Sequence, residues 1–119
     1  MEQKPIKTNF GYEVIWAKTD SYEARFLAFD KQNSKTDIYL DSNADKTWFI
    51  NTGKFKIRWI DTSTGQILEQ ESPEGTVFHI DRMKPTQLVA LQDNSSVTEV
   101  SNIINPDERY TIMDGNLLK

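Results

Sequence analysis

Ser34-Lys35-Thr36-Asp37-Ile38-Tyr39-Leu40-Asp41-Ser42-Asn43-Ala44-Asp45-Lys46-Thr47-Trp48-Phe49-Ile50-Asn51-Thr52-Gly53-Lys54-Phe55 reads as two strands around a polar turn, closed by a glycine. Successive side chains of a strand point to opposite faces. Tyr39 and Asp41 on the first strand, and Lys46, Trp48 and Ile50 on the second, are therefore expected on one side. Ser42-Asn43-Ala44-Asp45 supplies the turn. Four of these five residues carry polar groups, so their common side is the first place to look for a site.

The chain around this stretch has 119 residues, enough for one domain with a modest core. Its 37% hydrophobic and 27% charged content fits a globular protein. No apolar run approaches the roughly 20 residues of a membrane span. Met1-Glu2-Gln3-Lys4-Pro5 lacks the apolar region of a signal peptide, so a cytoplasmic location is expected. The absence of cysteine excludes disulfides, thiol catalysis and thiolate metal sites. A net charge of −4 argues against a nucleic-acid partner, which needs a basic face. Lys54, Lys56 and Arg58 alternate with apolar residues, the pattern of a solvated sheet face.

Residues 1–9 read as an arm of the kind that lies against a neighbouring subunit in small barrels. Strands are expected over 10–17, 22–29, 54–60, 66–71, 76–80, 86–91 and 97–101, in addition to the two of the opening stretch. Asp30 to Ser34, Asp61 to Gly65, Ser72 to Gly75 and Gln92 to Ser96 are turn clusters. Residues 105–119 form a tail that holds one helical turn or lies extended. Eight to ten short strands at 8–12 residue spacing, with no amphipathic helix and no repeat, give an all-β sandwich or barrel.

Spacing narrows the choice. Tyr39, Asp41, Lys46 and Gly53 fall at the positions of H-x-H-x4-E-x6-G, and Gly75, Asp81, Met83 and Thr86 at those of G-x5-P-x-G-x2-H. The chain resembles the cupin superfamily, whose two-part signature this is. Supporting pieces are Phe10-Gly11-Tyr12-Glu13, Phe78-His79-Ile80 and Thr98-Glu99-Val100-Ser101, similar to the C-terminal cupin of type II mannose-6-phosphate isomerases. The resemblance implies a double-stranded β-helix, or jelly-roll barrel, over the whole of 1–119. It also implies a homodimer and a sugar or sugar-phosphate ligand. In that family three histidines and a glutamate bind one divalent metal. Here all four positions have changed, and the second motif also lacks its proline and glycine.

Tyr39, Asp41, Lys46 and Thr86 form a poor metal shell. Tyrosine is a weak ligand at its ordinary pKa near 10, threonine is a neutral oxygen, and lysine brings a positive charge where the cation would sit. The expectation is a metal-free site without a cofactor, with Asp41 and Lys46 either paired inside the barrel or solvated at a wide mouth. Trp48 is the candidate to line the pocket and stack on a sugar. His79, the only histidine, should point away from the cavity, because the resemblance places neighbouring Ile80 in the core. His79, Asp81 and Arg82 are candidates for a polar cluster at the barrel end. Arg25 and Arg109 are expected as surface ion pairs, with anion clamping as the alternative, and Glu99 is a secondary pocket candidate. The leading expectation is a degenerate cupin that binds a sugar or sugar phosphate. The alternatives are a metal-independent isomerase or epimerase and a structural protein with a filled cavity.

Overall fold

A computed structural model describes residues 4–114; the outermost parts of the expected arm and tail, 1–3 and 115–119, lie outside the described residues. The strands are β1 (Ile6–Lys7), β2 (Gly11–Lys18), β3 (Glu23–Phe29), β4 (Ile38–Asp41), β5 (Lys46–Thr52), β6 (Lys54–Ile60), β7 (Ile67–Pro73), β8 (Val77–Ile80), β9 (Thr86–Ala90), β10 (Ser95–Ser101) and β11 (Arg109–Met113). They form a six-stranded sheet in the order β1-β2-β3-β10-β5-β8 and a five-stranded sheet in the order β11-β4-β9-β6-β7. Every pairing is antiparallel. The architecture is the expected all-β jelly roll. Among the described residues no helix is long and apolar enough to cross a membrane.

The apolar core lies between the sheets, where Leu27, Phe29, Trp48, Ile50 and Val97 of one meet Phe55, Ile57, Leu88 and Ala90 of the other. Phe29 and Phe55 cross the gap edge to face at 4.9 Å, the arrangement that suits the ring quadrupoles. Gly53, between β5 and β6, sits at φ +76°, and a Cβ there would fall 2.0 Å from the Ser95 hydroxyl. Only glycine lets the chain turn from one sheet into the other against β10.

Several local expectations are corrected. The described part of the arm forms an exposed edge strand, in which Ile6 and Lys7 pair with Glu13 and Tyr12 of β2. The tail holds both of its alternatives, a 3-10 turn at Pro106–Glu108 capped by Asn105 and then the extended β11. Pro73 ends β7 rather than sitting in the turn, which an edge strand tolerates. On β6 the wet face holds for Lys54, which pairs with Glu71, and fails for buried Arg58, which bonds Glu69 and Gln87. Met83, at the motif's glycine position, keeps the left-handed backbone at φ +68°.

Candidate functional site

Register places the inward polar residues side by side. Across the larger sheet Ile15 faces Arg25, Arg25 faces Glu99, Glu99 faces Trp48 and Trp48 faces Phe78. On the smaller sheet Asp41 faces Arg109, and Tyr39 lies between Thr111 and Thr86. The 42–45 turn joins the two sheets, so that Asp41 ends β4 and Lys46 begins β5.

Asp41 is the centre. Its Oδ2 accepts from the Lys46 ammonium at 2.7 Å and from Arg109 Nη2 at 3.0 Å, and its Oδ1 accepts from Arg109 Nε at 2.7 Å. The Lys46 and Asp41 side chains are only 3% and 0% exposed. Of the two arrangements open to this pair, the structure has the internal one. The Tyr39 ring lies 4.3 Å from Lys46 Nζ and 4.3 Å from the Arg109 guanidinium, within cation–π range of both.

Burial alone would raise the Asp41 carboxyl, but hydrogen bonds and charge from Arg109 and Lys46 outweigh it and hold it below its ordinary value. Burial alone would lower the Lys46 amine, but the Tyr39 oxygen, Glu99 and Asp41 together raise it. Arg109 is raised for the same reason, burial being outweighed by Asp41 and its neighbours. Asp41 and Lys46 are therefore both charged at neutral pH. Lys46 is no general base there.

The second half of the network centres on Glu99. Its Oε1 accepts from the Trp48 indole at 2.9 Å, and its Oε2 lies 3.3 Å from Arg25 Nε. Arg25 also bonds Glu23 at 2.6 Å and approaches Glu13 at 3.5 Å. Above both halves opens a cleft of about 310 Å³, at the end of the barrel where the residues following β1 approach β4 and β11. Glu13, Arg25, Tyr39, Glu99, Arg109 and Thr111 line it, together with Phe10, Lys35 and Asp37.

Among the expected site residues, Tyr39, Arg25 and Glu99 reach this cleft, while Asp41 and Lys46 lie beneath it. Trp48 does not line it: the indole is 0% exposed, and its stacking partner is Phe78. Alternation gives a residue's side, not its depth along the barrel. Thr86 is buried and donates to the Lys84 carbonyl rather than to the ion pair. His79 is on the outer face, hydrogen-bonded to Thr47 at 2.9 Å. The expected His79–Asp81–Arg82 cluster does not form through Arg82, which clamps Asp45 instead. Arg25 and Arg109 are no surface pairs, being held by buried carboxylates. Sequence reasoning missed Glu13 altogether. Its signal was present, since Glu13 is the one acidic residue of β2, set between apolar neighbours.

The motif positions imply a divalent metal, and the residues present do not fit one. The Lys46 ammonium already occupies one Asp41 oxygen, and Arg109 engages both. Among the described residues no three His, Asp or Glu side chains converge on one point.

No family model matches the sequence, and none of the curated proteins is similar to it in sequence. Solved structures do match in shape. The capsular polysaccharide assembling protein CapF from Staphylococcus aureus superposes with a TM-score of 0.81 at 17% identity, over 94% of this chain. KdgF from Halomonas sp. gives 0.72 at 17% identity, over 90% of this chain and 92% of its own. Oxalate decarboxylase from Bacillus subtilis gives 0.80 at 9% identity, over 93% of this chain. The chain spans about a third of CapF and of the decarboxylase, 34% and 30% of their lengths. These neighbours are cupin β-barrel proteins, and the chain has the cupin fold.

Proposed function

We propose that this chain is a metal-independent binding module for a small, neutral, hydroxyl-rich molecule of the sugar class. The observation that carries the reading is the cleft lined by the charged side chains of Glu13, Arg25, Glu99 and Arg109, next to the buried Asp41–Lys46 pair whose ammonium stands in the place of a metal shell. Such a lining offers donors and acceptors in set positions, which is what hydroxyl recognition needs. Neutral ligands are favoured over phosphorylated ones. Both arginines of the cleft are engaged by carboxylates, and Lys35 is not free either. A phosphate would have to displace those partners. The likeness to a capsular polysaccharide assembling protein points the same way.

The test is a thermal-shift and calorimetric panel of neutral mono- and disaccharides, their phosphates, and Mn, Zn and Ni salts. A binding sugar at 100 times its Kd stabilises the fold by about 2.7 kcal/mol. The expected result is a neutral sugar whose shift is unchanged by chelator and lost in Glu13→Ala. Stoichiometric metal binding, a sugar shift abolished by chelator, or no response to any sugar refutes the proposal.

A further inference from the structure

A second cleft, of about 370 Å³, shares no lining residue with the first. The first lies against β2, β3, β10, β4 and β11, toward one end of both strand orders. The second lies toward the other end, with residues 59–62 at the close of β6 on one side and residues 81–84, after the edge strand β8, on the other. Its loop is held in place by the backbone. Met83 N donates to the Asp41 carbonyl at 3.0 Å, Arg82 N to Asp45 Oδ1 at 2.8 Å, and Ile60 N to the Pro85 carbonyl at 3.1 Å.

This cleft holds an uncommitted cation. The Lys84 ammonium stands 5.1 Å over the Trp59 ring and 5.5 Å over Phe78, within cation–π range of both. Among the described residues no carboxylate pairs with it. Both arginines of the first cleft, by contrast, are held by carboxylates. The cleft also carries strain. Among the described residues three other than glycine have a positive φ, and two of them, Asn33 and Asn94, are of the type that tolerates it. Met83 does so at +68° while 54% exposed, so packing within the protein does not offset the cost. Strain of this kind collects where a ligand is held, and methionine gives an apolar body a soft, adaptable contact.

We propose that the second cleft binds a monoanionic carboxylate with a flat apolar body, the carboxylate on Lys84 and the body between Met83 and Trp59. Asp61 and Asp81 line the same cleft, and Arg82 is already clamped by Asp45. One free ammonium beside two carboxylates suits a single negative charge and disfavours a phosphate dianion. The site stands apart from the hydroxyl-binding cleft, so neither proposal depends on the other.

An amide NMR titration of the isotopically labelled full chain tests it, with benzoate and phenylacetate as probes and benzamide and inorganic phosphate as controls. The two carboxylates should move the Trp59 indole and the amides of 81–84, saturating at millimolar concentration, and leave those of Glu13, Arg25 and Arg109 in place. Lys84→Gln should weaken benzoate binding by about tenfold, to the level of neutral benzamide on the wild type. Met83→Gly should weaken it by roughly threefold in a chain that is no less stable. Both variants alter the surface, and the dispersion of their spectra reports that they are folded. The proposal is overturned by an absence of shifts at 59–62 and 81–84, by phosphate binding as well as benzoate, or by undiminished benzoate binding in either variant.

Discussion

Replacing one member of the Asp41–Lys46 pair should cost much more than replacing the other. Asp41→Asn leaves the Lys46 ammonium buried without its carboxylate and keeps only one oxygen to accept the three bonds from Lys46 and Arg109. Breaking a buried pair in this way costs about 3–5 kcal/mol. Lys46→Met leaves Asp41 with both bonds from Arg109, so the loss is nearer the 1.5–3 kcal/mol of one charge-assisted bond, by order of magnitude. With an unfolding entropy of about 2.1 cal/mol/K per residue, a chain of this size loses roughly 4 °C of Tm per kcal/mol. Thermal melts should therefore fall by about 12–20 °C for Asp41→Asn and about 6–12 °C for Lys46→Met. The double variant should be more stable than Asp41→Asn alone, because removing the ammonium removes the uncompensated charge. The pH dependence carries a sign. Lys46 is raised in the folded protein, so its contribution is complete below its ordinary 10.5 and is lost as pH rises beyond that value. Asp41 is lowered, so its contribution is present above 3.8 and is lost as pH falls below it. In Asp41→Asn the bare ammonium loses its partner and its pKa drops. Stability of that variant should then rise with pH toward 10.5, a range over which the wild-type Lys46 contribution is constant. Equal losses from the two single variants, or strictly additive losses in the double one, would refute this account of the cluster.

Two further substitutions probe the frame around the site. Met83→Gly should raise stability by about 0.5–1 kcal/mol in denaturant titrations. It relieves a left-handed backbone that costs a side chain about 1–2 kcal/mol, less the entropy that glycine loses on folding. A destabilised variant would show that the exposed Met83 side chain packs in a way that matters more than its φ. Trp48→Phe keeps a ring in the core but leaves Glu99 Oε1 without its 2.9 Å donor. A loss of about 1–3 kcal/mol in chemical unfolding is expected, and a loss no larger than a few tenths would mean that Arg25 alone satisfies Glu99.

The fold was legible because spacing survives when side chemistry changes. Gly53 still makes the turn that only glycine permits, and Met83 still adopts the glycine backbone although a methionine stands there. Alternation also placed Asp41 and Lys46 on one side, which their 2.7 Å contact requires. What it did not reveal is depth and distant partners. Trp48 shares the parity of Lys46 yet lies two residues further along β5, buried between Glu99 of β10 and Phe78 of β8. Arg25 and Arg109 look like surface charges in the sequence, and their carboxylates come from strands brought alongside by the fold. Arg58 alternates like Lys54 and Lys56, but Gln87 on the neighbouring strand draws it in. Residues opposed by register, not by sequence distance, decide each of these cases.

The bond from Arg109 to Asp41 joins residues 68 positions apart, and it has a consequence for how the chain reaches its folded state. During synthesis the β4–β5 turn can bring Lys46 to Asp41 early, because they are neighbours. The clamp from Arg109 cannot form until β11 has left the ribosome, nor can β5 gain its partner β10 until most of the chain is made. Loop closure over such spans comes before the contacts that reward it, so folding should fall in the slow, millisecond-to-second regime of strongly non-local β topologies. A stopped-flow refolding rate in the microsecond range would contradict this. Until closure, the half-built cluster is open to water and to other chains. The interval before the last strand docks is thus when this protein is most exposed to misassembly.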